Sequence, residues 1–361
     1  MQNKNILIIA GGTGGHVYPA LAVAEILKQK GFNLFWLGTN HGLEKNILPK
    51  YEYPLFKMNI IGIRGKNIFH LFLAPFFIFI SVFQALFVMI KIRPAVVLGM
   101  GGFASGPGGI AAWLMRIPLL IHEQNSIAGL TNRLLSPFAT SVMTAFPDVF
   151  KSSKKIIFTG NPIRDQIKNI SAPNERYINL KSKELKILIL GGSLGAEKLN
   201  KIVPATLNSF DSNCTLYVKH QCGEKNFLNT QDIYKKYDLN VDLTPFIDDM
   251  VGAYTWADLV ICRAGASTIS EIAACGIASV LVPYPFAVDD HQTKNAKYLT
   301  NNGAAILIQE DKLTVEKLKK VLSDFLNAPE LLIEMAKKAR RLSKPDATYD
   351  VAKLCMETPY A

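Results

Sequence analysis

Acidic residues are scarce in the first half of this chain. Residues 1–163 carry 5 Asp and Glu against 15 Lys and Arg, whereas residues 164–361 are nearly balanced at 24 against 25. Almost all of the net charge of +11 therefore sits in one half, which points to an anionic partner there: nucleic acid, a phosphorylated substrate or an anionic lipid surface. Cysteine is also sparse. The five present (Cys214, Cys222, Cys262, Cys275, Cys355) are odd in number and lack metal-type spacing, which argues against a disulfide-stapled secreted protein and for a reducing cytoplasm. Met1–Ala10 runs too soon into Gly11-Gly12 to read as a signal peptide. With 19% charged and 49% hydrophobic residues, disorder is excluded, and 361 residues suffice for two cores.

Short apolar runs alternate with helix-length segments along the whole chain. Asn5–Ala10, Leu34–Leu37, Ala95–Leu98, Leu119–Ile121 and Ile156–Phe158 read as strands. The pattern restarts with Lys186–Leu190, followed by Leu216–Lys219, Leu259–Cys262, Ser279–Val282 and Ala305–Ile308. This β-α-β rhythm predicts an α/β protein with two Rossmann-like, doubly wound parallel sheets. The expected boundary divides residues 1–163 from 164–344, with a last helix at about 345–361 crossing back to the first domain. A first helix is expected to bury Ala20, Leu21, Ala24 and Leu27, with Pro19 in its first turn.

One segment departs from this rhythm. Ile68–Ile90 has only His70, Ser81 and Gln84 as polar residues and seven phenylalanines, long and apolar enough to pass for a membrane span. Spanning would separate the loop at Gly11 from the loop at Gly99, although both follow strands of one sheet. Two readings remain open: a buried crossover helix starting near Pro75, and a helix whose apolar face dips into a bilayer. Flanking Arg64, Lys66, Lys91 and Arg93 suit anionic headgroups.

Three glycine clusters follow strands: Gly11–His16, Gly99–Phe103 and Gly191–Ala196. Each lets a ligand approach backbone amides at a helix N-terminus, a ready anion site. None fits the GxxxxGK[ST] spacing of a P-loop, and Gly11–His16 is not spaced as GxGxxG. His16, where the first loop enters its helix, is the candidate general base, because the positive helix end disfavours a charged imidazole; a capping or packing histidine is the alternative. His122-Glu123-Gln124-Asn125 falls at a strand's C-terminal end, where such sheets form their ligand crevice. In the second half, Arg263–Glu271 again frees a helix N-terminus, with Glu271 suited to a ribose diol or to a simple first-turn acid. Asp290–Ala296 supplies His291 and Gln292 for hydroxyl recognition, and no metal-ligand spacing is apparent.

Taken in order from about residue 5 to the last helix, the segments Gly11–His16, Gly99–Pro107, His122–Asn125, Gly191–Ala196, Arg263–Glu271 and Asp290–Ala296 resemble the membrane-associated N-acetylglucosaminyltransferases that make lipid II in bacterial peptidoglycan synthesis. The resemblance implies the GT-B fold, two Rossmann-like domains facing across a cleft, and an inverting transfer from UDP-GlcNAc to the MurNAc C4 hydroxyl of lipid I. It assigns the donor to Thr13, Gly14, Gly15, Asn125, Arg164, Ser193, Ile247 (through its backbone), Ala266, Ser267, Thr268, Ile269, Ser270, Glu271, His291 and Gln292. Gly101 and Gly102 would take the acceptor diphosphate, and His16 the proton, with Glu123 as the fallback base. It implies no protein-held cofactor, Mg²⁺ arriving only with the diphosphate, and an enzyme peripheral to the cytoplasmic face of the membrane that meets other cell-wall synthesis proteins. Position 291 is His where some relatives carry Gln. Competing readings are a sister transferase acting on diacylglycerol, a UDP-GlcNAc 2-epimerase, a silent nucleotide-sugar binder and, for the charge alone, a nucleic-acid binder, which lacks any recognised motif.

Overall fold

Runs of Ile, Leu and Val bounded by glycine loops make parallel strands that are covered on both faces, and they organise two compact units. The computed structural model describes residues 4–40, 42–60, 68–178, 180, 182–192, 194–211 and 213–358, with side chains omitted for 68–74. One unit comprises residues 1–165 and 345–361, the other residues 166–344.

The first unit runs β1 (Asn5–Ile9), α1 (Gly14–Gln29), β2 (Asn33–Thr39), α2 (Glu44–Ile47), β3 (Leu55–Met58), α3 (Ile68–Ile92), β4 (Val96–Gly99), α4 (Ser105–Leu114), β5 (Leu119–Glu123), α5 (Leu130–Leu135), β6 (Ser141–Thr144) and β7 (Ile156–Phe158). Its described strands form one parallel sheet in the order β3-β2-β1-β4-β5-β6-β7. Side chains alternate across that sheet. Ile6 and Ile8 pack with Val17, Ala20, Ala24 and Leu27 of α1, while Leu7 and Ile9 pack with Ala85 and Met89 of α3 and Ala111 of α4. Fully burying one such aliphatic side chain is worth about 1.5–3 kcal/mol.

The second unit runs α6 (Pro173–Arg176), β8 (Glu184–Leu190), α7 (Glu197–Asn208), β9 (Thr215–Gln221), α8 (Phe227–Lys236), β10 (Asp242–Thr244), α9 (Met250–Trp256), β11 (Leu259–Cys262), α10 (Ala266–Cys275), β12 (Ala278–Leu281), α11 (His291–Thr300), β13 (Ile306–Leu307), α12 (Val315–Asn327) and α13 (Glu330–Arg341). Its parallel sheet has the order β10-β9-β8-β11-β12-β13. The last helix, α14 (Ala347–Glu357), belongs to the first unit, where Val351, Ala352 and Cys355 are buried in the core beside α1.

Several expectations need correction. Pro19 lies inside α1, because the helix already begins at Gly14; there it removes the helical donor to the Gly15 carbonyl. Helix α3 does not start near Pro75 but runs through it from Ile68. Strand β5 continues through His122 and Glu123, so these two side chains face opposite sides of the sheet. The units divide two residues beyond the expected boundary, after Asp165. Thr348 Oγ1 on α14 accepts from the Ile163 amide (3.1 Å) and donates to the Ile163 carbonyl (2.9 Å). Arg164 lies over the Tyr18 ring of α1 at 5.7 Å, within the first unit.

Helix α3 has two faces. Ser81, Ala85, Met89 and Ile92 are buried, whereas Phe76, Phe79, Phe83, Phe87 and Ile90 are exposed, Phe87 by 72%. Its Pro75–Ile92 stretch is long and apolar enough to cross a membrane, yet 28% of it is buried in the protein. Neighbouring α4 and α5 add exposed Trp113, Leu114, Leu130 and Leu134. Lys91 sits over the Phe56 ring at 5.8 Å, and Arg64 and Lys66 lie outside the described residues.

Candidate active site

In the first unit the glycine loop after β1 and the glycine loop after β4 are pressed together. Gly101 and Gly102 have φ of +86° and +78°, a region that costs other residues about 1–2 kcal/mol. A Cβ at Gly102 would lie 2.6 Å from the Gly11 carbonyl oxygen, and one at Gly101 would lie 2.9 Å from the His16 ring. Contact between these loops therefore requires both residues to be glycine. Thr13 is the N-cap of α1, in extended conformation, so the Gly14 and Gly15 amides have no carbonyl behind them in the helix. His16 follows in the first turn, its amide bonded to the Thr13 carbonyl at 3.1 Å.

A residue that the motif reading passed over holds the first loop from beneath. Glu44 of α2 is completely buried. Its Oε2 accepts from the Gly12 amide (3.0 Å), and its Oε1 from the Thr39 amide and hydroxyl (2.8 Å each). One loop amide is thus already taken by a carboxylate of the protein itself. Glu44 stands five residues beyond the end of β2 in a run without motif character, so only the fold could reveal it.

The segment at the end of β5 splits its labour by strand alternation. His122 and Gln124 share a face: the His16 Nδ1 lies 2.9 Å from Gln124 Oε1, Gln124 Nε2 donates to the Met100 carbonyl (2.8 Å) and lies 3.2 Å from His122 Nδ1, and His122 Nε2 donates to the Gly160 carbonyl (2.9 Å). Glu123 points the other way and has a different task from the one expected. Its Oε1 accepts from the Asn125 amide (3.0 Å) and side chain (3.5 Å), and its Oε2 from the Gly129 amide (3.0 Å) and Asn132 Nδ2 (2.9 Å). Four accepted hydrogen bonds on a side chain only 2% exposed leave Glu123 poorly placed to take a substrate proton. It instead fixes the loop carrying Asn125 and the start of α5.

In the second unit the predicted residues also gather at the C-terminal ends of strands, where open α/β sheets bind ligands. The loop after β8 rests on β9, with the Gly191 amide bonded to the Gln221 carbonyl (3.1 Å); Ser193 lies outside the described residues. Ile247 is half-buried in the loop after β10. Helix α10 opens at Gly265 in extended conformation, so the amides of Ala266, Ser267 and Thr268 face forward from its start, with Ile269 and Ser270 in the next turn. Glu271 follows on the same helix, its Oε2 accepting from the hydroxyl of fully buried Tyr254 at 3.0 Å. Burial, and then the Glu271 charge, push that phenol well above its ordinary range, so Tyr254 serves as a fixed donor that orients the carboxylate.

Gln292 Oε1 accepts from the Tyr284 amide (2.9 Å), and His291 Nδ1 donates to the Val288 carbonyl (2.7 Å). Arg263 braces this corner: it donates to the Val282 and Pro283 carbonyls (3.3 and 3.1 Å), pairs with Glu310, and lies over the Tyr284 ring. Among the described residues no three His, Cys, Asp or Glu side chains gather as metal ligands.

Each unit also buries a histidine in neutral form. Burial pushes His122 down to about 4 and His220 down to about 3 from the ordinary 6.5. His220 is bonded to Tyr234 (2.8 Å) and Asn200 (3.0 Å). Below pH about 6.5 the unfolded chain takes up protons that these native sites refuse, so the stability they permit is complete above that pH and is lost as pH falls toward their native values. Unfolding free energies from urea titrations at successive pH values should fall across this window for both units, by roughly 3 kcal/mol from His122 alone. Free energies flat down to about pH 4.5 would contradict the burial of neutral imidazoles.

Comparison with known proteins agrees with this geometry. Residues 6–144 match the glycosyltransferase family 28 N-terminal domain, and residues 186–351 the family 28 C-terminal domain. A protein of Marinobacter nauticus named as a UDP-N-acetylglucosamine--N-acetylmuramyl-(pentapeptide) pyrophosphoryl-undecaprenol N-acetylglucosamine transferase is 47% identical over 98% of this chain and 97% of its own length. One of the same name from Psychromonas ingrahamii is 48% identical over 98% and 99%. The crystal structure of Acinetobacter baumannii MurG is 41% identical, covers 98% of this chain and 100% of its own, and superposes with a TM-score of 0.85. Two Rossmann-like units, a glycine-built site in each and full-length identity of this order place the chain in glycosyltransferase family 28, as an enzyme of the GT-B fold.

Proposed function

We propose that this enzyme transfers GlcNAc from UDP-GlcNAc to the C4 hydroxyl of MurNAc in undecaprenyl-diphosphate-MurNAc-pentapeptide, lipid I, to give lipid II. The observation that carries this reading is the 47–48% identity, over nearly the whole chain, to transferases named for that reaction. His16 takes the proton of the acceptor hydroxyl as that oxygen attacks the anomeric carbon. The bond from that carbon to the phosphate oxygen breaks, its electron pair leaves with UDP, and the α-linked donor becomes a β(1→4) linkage. Amides at the starts of α7 and α10 stabilise the charge growing on UDP.

The supporting roles follow the same division. The Ile247 backbone meets uracil, Glu271 grips the ribose hydroxyls, and Ser193 with the amides of Ala266, Ser267 and Thr268 takes the diphosphate region, with Ile269 and Ser270 in the turn behind. Gln292 and His291 read the sugar hydroxyls. Thr13, Gly14, Gly15 and Asn125 complete the donor site, Arg164 serves the nucleotide side, and Gly101 with Gly102 takes the acceptor diphosphate. Mg²⁺, where it takes part, rides on the diphosphate oxygens. The exposed face of α3, with Trp113, Leu114, Leu130 and Leu134 nearby, rests on the cytoplasmic membrane surface, drawn there by the basic first half.

Incubation with labelled UDP-GlcNAc, a short-chain lipid I analogue and diacylglycerol tests the assignment. Label on the muramyl lipid alone is expected. Label on diacylglycerol would move the enzyme to a sister activity, and donor epimerised without transfer would overturn the transferase reading. Replacing Glu271 by Ala removes charge-assisted hydrogen bonds to the diol and should raise the UDP-GlcNAc KM roughly ten- to a hundredfold. An unchanged KM would remove the ribose assignment.

A further inference from the structure

We propose that Gln124 is a positioning residue that fixes the proton of His16 on Nδ1 and so presents Nε2 as the basic nitrogen, an inference that rests on His16 being the base. The donors and acceptors each group carries fix the arrangement. The Met100 carbonyl can accept but never donate, so the Gln124 atom 2.8 Å away is its amide nitrogen. That choice turns the Gln124 oxygen toward His16 Nδ1 at 2.9 Å. Facing an acceptor, Nδ1 must carry the hydrogen, and a neutral ring then holds its lone pair on Nε2.

The same logic runs onward from the amide. The second proton of Gln124 Nε2 is directed at His122 Nδ1, 3.2 Å away, which must accept it. His122 consequently carries its proton on Nε2 and gives it to the Gly160 carbonyl at 2.9 Å. Main-chain carbonyls thus terminate the chain on both sides, and a reversed amide would set oxygen against oxygen at Met100. The direction of every bond is dictated by the backbone. Complete burial of His122, with Gln124 only 1% exposed, excludes competing water, and the neutral state into which burial forces His122 keeps the relay in one form. Glu123, between these two residues in sequence, belongs to the opposite face and takes no part.

Free histidine in water prefers the proton on Nε2, so the relay reverses the intrinsic preference, which makes the effect observable. Long-range ¹H–¹⁵N spectra of the full-length enzyme labelled at histidine nitrogens, recorded at alkaline pH, should report His16 with its proton on Nδ1; the resonance is assigned by its loss in His16→Ala. A proton on Nε2 would overturn the proposal without any further variant. In Gln124→Leu the resonance should revert to the Nε2-protonated form, and kcat should fall roughly ten- to a hundredfold with the UDP-GlcNAc KM unchanged. Wild-type kcat in folded Gln124→Leu would also overturn it. The underlying reading fails separately: turnover surviving in His16→Ala removes the base itself, and with it any purpose for the relay, whichever tautomer the spectra report.

Discussion

The contact between the two glycine loops of the first unit is the constraint on which the rest of its site depends. Gly102 meets the Gly11 carbonyl, and Gly101 meets the His16 ring, at separations that leave no room for a methyl group. This close approach seats the His16 ring within reach of Gln124, and Gln124 in turn reaches the Met100 carbonyl at the start of the second loop. Glu44 secures the opposite side of the first loop through the Gly12 amide. The imidazole is thus gripped by two loops and an amide, none of which depends on bound substrate. Such preorganisation suits the base role proposed for His16, which needs a group that acts without first being ordered.

The second unit uses the same fold to different effect. Its strand ends also carry a glycine loop and a helix start, but the side chains that face them are a carboxylate oriented by a buried phenol, Glu271 and Tyr254, and a Gln-His pair fixed to the main chain. Of its two histidines, His291 at the start of α11 donates through Nδ1 to the Val288 carbonyl, and buried His220 is committed to Asn200 and Tyr234. On the reading proposed above, the first unit moves the proton and the second reads the hydroxyls. The charge asymmetry follows the same division, with the basic half also carrying the exposed phenylalanines of α3.

Much of this was legible in the sequence because parallel strands buried on both faces are unbroken apolar runs, and because glycine clusters mark their ends. Ile156–Phe158 and Leu259–Cys262 were readable to the residue. Strands β3, β6 and β10 were missed for a physical reason: Leu-Phe-Lys-Met, Ser-Val-Met-Thr and Asp-Leu-Thr are short and mix polar with apolar residues, and β3 and β10 are sheet edges. At the candidate site, His16 stood out because it enters a helix straight after a glycine loop, and Glu271 because it lies on the helix that follows β11. Glu123 was misjudged because β5 extends two residues further than its apolar run, which turned a candidate base toward the α5 loop. Glu44 and the role of Gln124 were invisible, since both act through contacts between segments far apart in the chain.

The loop contact is tested most directly by Gly101→Ala, with Gly31→Ala as the comparison. Both glycines have positive φ, +86° and +80°, so both variants carry similar backbone strain. Only the first drives a methyl group into the His16 ring; at Gly31 the nearest atom is a lysine tip 3.8 Å away. The account predicts that kcat falls roughly a hundredfold in Gly101→Ala, with the UDP-GlcNAc KM held, while Gly31→Ala turns over normally. A folded Gly101→Ala enzyme with wild-type kcat would contradict the claim that this contact seats the base.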